Sequence, residues 1–146
     1  MTEPQLLFDA NAIYRLIREC PEKAVDMLME GATISLAYYE LGNALLREAH
    51  LHKRISIEEA EKSLSLMHAM LVRMQVEKVD GEQGSEILQT ADKCNLTFYD
   101  SAYLAEAKKT NKILVTDDNK LAKAAENLAV QTLSSNTLTA RQEYKG

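Results

Sequence analysis

Cysteine is nearly absent from this 146-residue chain: Cys20 and Cys94 are the only two, far apart and in no metal-ligand spacing. That excludes a disulfide framework and fits a reducing compartment, where thiols behave as small apolar side chains. Glycine is scarce too, and the five present form no phosphate-cradling loop of the Walker or dinucleotide type, which argues against a nucleotide cofactor. No apolar run approaches the roughly 18 residues of a membrane span, and no charged segment followed by an apolar stretch marks a secretory signal. We therefore expect a cytoplasmic protein with no membrane association. A basic surplus is missing as well, since 17 Lys and Arg stand against 22 Asp and Glu for a formal charge of -5. The molecule as a whole does not advertise polyanion binding. A carboxylate cluster that holds cations would, however, account for several of the negative charges.

What is present is the composition of an ordinary globular protein, 46% hydrophobic and 27% charged, at a size able to bury an apolar core. No stretch has linker composition, and we expect one domain over residues 1–146. The apolar run Gln5-Leu6-Leu7-Phe8 ends at Asp9 and is followed by a helical pattern through Ile13, Leu16 and Ile17. A second short strand near Thr33-Ile34-Ser35 leads to a helix carrying Tyr38, Leu41, Leu45 and Ala49. Ser56 and Glu59 form a capping-box pattern ahead of the stripe Ala60, Leu64, Met67, Leu71 and Met74. Met67, Met70 and Met74 on this stripe suit core or subunit-interface packing.

Val76 to Val79 predicts a strand, Asp80 with Gln83 a variant cap, and Ile87, Leu88 and Ala91 the helix behind it. Thr97 is placed to cap the next helix. Ile113-Leu114-Val115-Thr116 has the β-branched, apolar character of a central strand, Asp117 and Asp118 open a helix with Leu121 and Ala125, and Ala129 to Leu133 fits a last strand. Strands alternating with helices, without a tight hairpin signal, predict an α/β fold. We expect three α/β/α layers around a mainly parallel sheet of about four to five strands.

In such sheets ligands sit beyond the carboxyl ends of the strands, and Asp9 and Asp118 stand at or just after two such ends. Glu40 lies early in the helix after the second strand and shares a face with Asn43, Ala44 and Arg47. Asp100 falls in the first turn of the helix opened by Thr97. Four carboxylates converging on one crevice repel one another unless a cation compensates, and Mg2+ or Mn2+ is the natural match for oxygen ligands. Taken singly, each acid has an ordinary explanation. Asp9, Asp117 or Asp118 serves as a helix N-cap, Asp100 as the third residue of a Thr97 cap, and Glu40 as a solvated helix-face residue. Only the four-part pattern favours a site. His50, His52 and His68 have no metal-binding partner pattern, and no nucleophile-elbow signature occurs. Arg15, Arg18, Arg47, Lys120 and Lys123 are candidates for phosphate contacts.

Four stretches carry a resemblance to a known family: Leu6-Leu7-Phe8-Asp9-Ala10-Asn11-Ala12, Tyr39-Glu40-Leu41-Gly42-Asn43, Tyr99-Asp100-Ser101-Ala102-Tyr103-Leu104-Ala105 and Leu114-Val115-Thr116-Asp117-Asp118-Asn119-Lys120-Leu121. In order and approximate spacing they are similar to the successive motifs of PIN domains, and the likeness is strongest to the stand-alone VapC-like toxins of prokaryotic toxin–antitoxin pairs. The resemblance implies a Mg2+- or Mn2+-dependent endoribonuclease, usually dimeric and inhibited by a small cognate antitoxin. It places Asp9, Glu40, Asp100 and Asp118 at the family's acidic, metal-holding positions. It also places Thr116 at the hydroxyl residue two places before the last acid, where it orients that carboxylate or a bound water. Asn11 departs mildly from the Ser or Thr of many members, and Asp117 is an extra acid whose role is not separable from that of Asp118. Two other readings remain open: a metal-dependent DNA or flap nuclease, and a non-catalytic module of the same fold that binds RNA or protein.

Overall fold

A computed structural model describes the backbone of residues 5–145 and the side chains of residues 5–141. Five short strands form one sheet: β1 (Leu6–Phe8), β2 (Ala32–Ile34), β3 (Gln75–Glu77), β4 (Ile113–Val115) and β5 (Thr132–Leu133). Their spatial order is β3-β2-β1-β4-β5 and every pair is parallel. Parallel neighbours cannot be joined by a hairpin, so each connection is a crossover that carries helices. These are α1 (Ala10–Glu19), α2 (Pro21–Met29), α3 (Leu36–Leu46), α4 (Ile57–Arg73), α5 (Gly81–Cys94), α6 (Phe98–Thr110) and α7 (Asn119–Asn127), followed by α8 (Ser135–Lys145). The expected three-layer α/β/α fold forms, with five strands.

The helices fall into two groups. Helices α1 to α4 pack among themselves, whereas α6 lies against β1, β2 and β4 and touches α5 and α7. With right-handed crossovers, this is the arrangement that covers both faces of the sheet. The inner strands are mostly apolar and buried, with Leu7, Phe8, Ala32, Ile34, Leu114 and Val115 all closed to solvent and Leu6 and Ile113 partly so, while the edge strands β3 and β5 are half-buried. That is why the inner strands read as unbroken apolar runs rather than alternating ones.

Local signals act much as expected, with three differences. The Asp80–Gln83 pair makes a complete capping box, each side chain bonding the other residue's backbone N–H. At Ser56 only half of the box forms, because Glu59 accepts from the Ser56 hydroxyl instead of reaching its amide. The helix bearing Leu41 and Leu45 widens at Arg47–Leu51 into a π-helical turn, closed by the His52 N–H on the Arg47 carbonyl at 2.9 Å. The strand expected from Ala129 shrinks to Thr132–Leu133, since Ala129 adopts a φ of 60° and turns the chain. Two helices, α2 and α8, were not expected. Pro21 starts α2 at its first position, where a missing N–H costs nothing.

Met67 and Met74 are buried in the core. Cys20 and Cys94 are unpaired and half-buried. Among the described residues no helix is long and apolar enough to cross a membrane.

Gly31 sits where the chain enters β2. Its N–H bonds the Leu28 carbonyl, its own carbonyl accepts from Gln75, and any Cβ there would collide with the Phe8 ring. Phe8 cannot give way, being wholly buried beside Asp9. Gly31→Ala should therefore destabilise the protein by about 1–3 kcal/mol through overpacking, and urea unfolding of the two proteins checks it.

Candidate active site

The strand order has one reversal. From β1 the chain builds outward through β2 to β3, then returns to the other side of β1 to lay down β4 and β5. The crevice of such a sheet opens at the carboxyl ends of the two strands flanking the reversal. Here these are β1, followed by Asp9, and β4, followed by Thr116, Asp117 and Asp118. Their ends are held together because the Asp9 N–H donates to the Val115 carbonyl at 3.1 Å. On the other side, the buried Thr33 hydroxyl donates to the Phe8 carbonyl at 2.8 Å, tying β2 to the last residue before Asp9.

Asp9 is the N-cap of α1, and its Oδ1 accepts from the Ala12 N–H at 2.8 Å. The ordinary explanation of this residue is thus true and incomplete, because only 5% of Asp9 is exposed. Burial pushes its carboxyl up to about 7, reinforced by the charges of Asp117 and Asp100 and opposed by the Thr116 hydroxyl and the Ala12 amide. A helix cap alone would not need a carboxylate under such strain.

The two adjacent aspartates after β4 separate cleanly. Asp118 is exposed and caps α7, its Oδ1 accepting from Leu121 at 3.0 Å, while its own N–H donates to the Thr116 hydroxyl oxygen at 3.1 Å. Thr116 therefore stands between Asp9 and Asp118 and touches both. Asp117 turns the other way: Oδ1 accepts from the Ser135 N–H at 2.9 Å at the start of α8, and Oδ2 lies 3.7 Å from the Arg15 guanidinium without a hydrogen bond. Asp117 anchors α8 and α1 to the end of β4 and acts on Asp9 only through its charge.

Glu40 and Asp100 come from opposite layers. Asp100 is the third residue of α6, its N–H bonding the Thr97 hydroxyl at 3.0 Å as the capping signal predicts. Burial raises its carboxyl, and the Asp118 charge adds to this against the Thr97 hydroxyl and nearby Lys120. Glu40 is half-buried on α3 and raised in the same way, with Asp100 as its repelling neighbour. Asp100 is thus felt by Asp9 and Glu40 and feels Asp118, so all four expected acids belong to one electrostatic cluster. Asn11 lies exposed in the first turn of α1. Among the expected basic residues, Lys120 is beside Asp100, Arg15 is engaged by Asp117 and Glu19, and Arg18 stands over the Tyr14 ring.

Sequence reasoning gave Tyr103 no role. Its side chain is 1% exposed, its hydroxyl donates to Glu40 at 2.7 Å, and the Ala10 backbone amide meets the same oxygen. Burial and the Glu40 charge raise the phenol far above its usual range, so it stays a donor. The signal was present in the spacing: Tyr103 is three residues after Asp100 and so shares its helix face.

A parallel five-stranded sheet with four acids at its topological switch point agrees with the family to which the chain belongs: residues 6–127 match the PIN domain model. The chain is similar to the Exonuclease VapC9 of Pyrobaculum aerophilum, with 32% identity covering 88% of this chain and 92% of the relative. It is equally similar to the Ribonuclease VapC3 of the same organism, 32% identical over 81% of this chain and 92% of that one. Among solved structures, the crystal structure of PAE2754 from Pyrobaculum aerophilum superposes with a TM-score of 0.77 at 28% identity, covering 94% of this chain and 95% of the other.

Two measurements test this geometry. In metal-free buffer the raised Asp9 carboxyl makes the folded protein hold a proton that the unfolded chain releases near 3.8, so stability falls as pH rises from about 4 to about 7. Asp9→Asn keeps the cap and loses the charge. Its stability should vary less with pH over that window and exceed that of wild type above pH 7 by roughly a few kcal/mol at most, as urea unfolding across pH would show; equal pH profiles would show that burial does not raise Asp9. Asp117→Asn should cost about 1–2 kcal/mol in stability, because it weakens the Arg15 and α8 ties.

Proposed function

We propose that this protein is a Mg2+- or Mn2+-dependent endoribonuclease whose site is formed by Asp9, Glu40, Asp100 and Asp118. The observation that carries this reading is the mutual repulsion of buried or half-buried carboxylates at the sheet's switch point, which folding alone gives no reason to assemble. The donor set fits a hard dication, since every group is a carboxylate oxygen. Among the described residues no three such groups stand close enough to enclose an ion. The open arrangement suits a cation bound through one or two carboxylates that keeps several waters, as Mg2+ does. Asp9, Glu40, Asp100 and Asp118 would hold such a dication, which would supply activation of water and charge stabilisation for phosphodiester hydrolysis.

The chain's own groups have separable tasks. Asp9, fixed by Ala12 and Thr116, is the least mobile of the four and sets the origin of the site. Thr116 locks Asp118 to the same frame through its amide. Tyr103 holds Glu40 through its Oε1. Asp100 lies among the charges of the other acids, with Lys120 beside it. No side-chain nucleophile is required. We further propose that residues 1–146 act as one PIN-like domain, since α8 packs on α1, and that the chain pairs with a second copy and with a small antitoxin. The exposed aliphatic residues Leu46, Leu51 and Ile57 along the end of α3 and the start of α4 support a partner surface.

The test is cleavage of matched RNA and DNA, linear and circular, with Mn2+ or with chelator. Cutting of circular RNA only with the cation is expected, and Asp9→Asn or Asp118→Asn should abolish it, whereas Asp117→Asn should leave most of it. Wild-type rates in the Asp9 or Asp118 variants would remove the assignment, cutting of DNA alone would redirect the substrate, and cutting of linear RNA alone would make it an exonuclease.

A further inference from the structure

Aromatic residues are few, and their exposure is not scattered. Phe8 and Tyr103 are buried, and Tyr14 and Tyr38 are half-buried. Every strongly exposed ring among the described residues lies beside a cluster acid in the chain: Tyr39, 78% exposed, precedes Glu40, and Phe98 and Tyr99, 43% and 58% exposed, precede Asp100. The other exposed large apolar residues are all aliphatic and include Leu46, Leu51, Ile57, Leu66 and Val72. Glu40 accepts from the Tyr103 hydroxyl at 2.7 Å, and Tyr103 lies one turn along α6 from Asp100, so the start of α6 with Phe98 and Tyr99 and the stretch of α3 with Tyr39 meet at one crevice although they come from opposite layers of the fold. Lys120 adds a cation at the same rim.

From this segregation we propose that Tyr39, Tyr99 and Phe98 form a base-stacking rim, on which unpaired nucleobases of the substrate lie while Lys120 meets a phosphate. The proposal rests on the nuclease reading above and deepens it. An aromatic face stacks on any base, and an aliphatic side chain does not, so an exposed rim of rings beside the acid cluster and Lys120 suits a strand of unpaired nucleobases. A packed protein partner is better served by the aliphatic stretch from Leu46 to Ile57, further along the chain from the acids. The rim also answers the charge problem. A molecule with a formal charge of -5 gains little from general attraction to a polyanion, and stacking supplies affinity that does not depend on net charge. It makes paired RNA a poor ligand, because bases in a duplex are already stacked on each other.

The absence of tryptophan makes the test direct, since the protein's own emission comes from its six tyrosines. In chelator, to keep the strand uncut, a short fluorescein-labelled single-stranded RNA and the same backbone without bases are titrated with wild type, Tyr39→Leu and Tyr99→Leu. The wild type should bind the base-bearing strand with quenching of tyrosine emission. Each substitution should weaken that binding roughly five- to 150-fold and leave the baseless strand unaffected. Equal binding of wild type and variants to the base-bearing strand overturns the rim and assigns the rings to a protein partner, even where the wild type cuts RNA with Mn2+. A loss of the same size on both strands also overturns it, since the rings would then be supporting the rim rather than stacking. If wild type neither binds nor cuts any RNA, the nuclease reading itself fails and the rim with it.

Discussion

A single buried carboxylate organises this protein. Asp9 follows the central strand, caps the first helix and bridges to the strand laid down more than a hundred residues later, all within one residue. Its amide closes the β1–β4 ladder, its carboxylate ends α1, and its charge sits where water is nearly excluded. Thr116, Asp118, Asp100 and, through Tyr103, Glu40 are arranged around that fixed point. The apolar sheet below provides rigidity, with Leu7, Phe8, Leu114 and Val115 fully buried. A carboxyl raised by burial at such a position is costly to folding where it must ionise.

Much of this could be read from residues because parallel α/β folds make local and global signals agree. Apolar runs ending in Asp at 9 and 117–118 marked two strand ends, and the alternation of strand and helix fixed the class. The Thr97 cap located Asp100 in the first turn of α6, while its place among the acids leaned on the family resemblance. Glu40 could not be located by a local signal, since a charged residue on a helix face looks the same in sequence whether it faces solvent or a crevice. What distinguishes it is the Tyr103 hydroxyl, which arrives from another layer. Asp117 and Asp118 were inseparable for a similar reason: adjacent residues point apart, and which of them faces inward depends on where α8 begins. Helix α2 was missed because it follows α1 after one residue, so the apolar pattern shows no break wide enough to mark a new element.

The two layers play unequal parts. The α1–α4 side contributes Glu40 and Tyr39, the α5–α7 side contributes Asp100, Tyr103, Phe98 and Tyr99, and the sheet contributes the fixed acids. The Tyr103–Glu40 hydrogen bond is a side-chain link that spans both helical layers near the acids. It couples the position of α3 to that of α6 over the sheet edge. Pairs held across layers in this way keep their spacing only while both layers are seated, so the geometry of the cluster reports on the packing of the whole molecule.

The strand order has a consequence for synthesis. Strand β1 is made first and stands at the centre, but its neighbour β4 lies beyond residue 112 and brings Thr116 and Asp118 with it. Until that segment leaves the ribosome, one edge of β1 has no partner and Asp9 has neither the Val115 carbonyl nor the Thr116 hydroxyl beside it. A chain stopped between Asp100 and Asp118 therefore owns three of the acids and lacks the fourth, and one stopped earlier owns fewer. The cluster is complete only once Asp118 has been made, more than a hundred residues after Asp9.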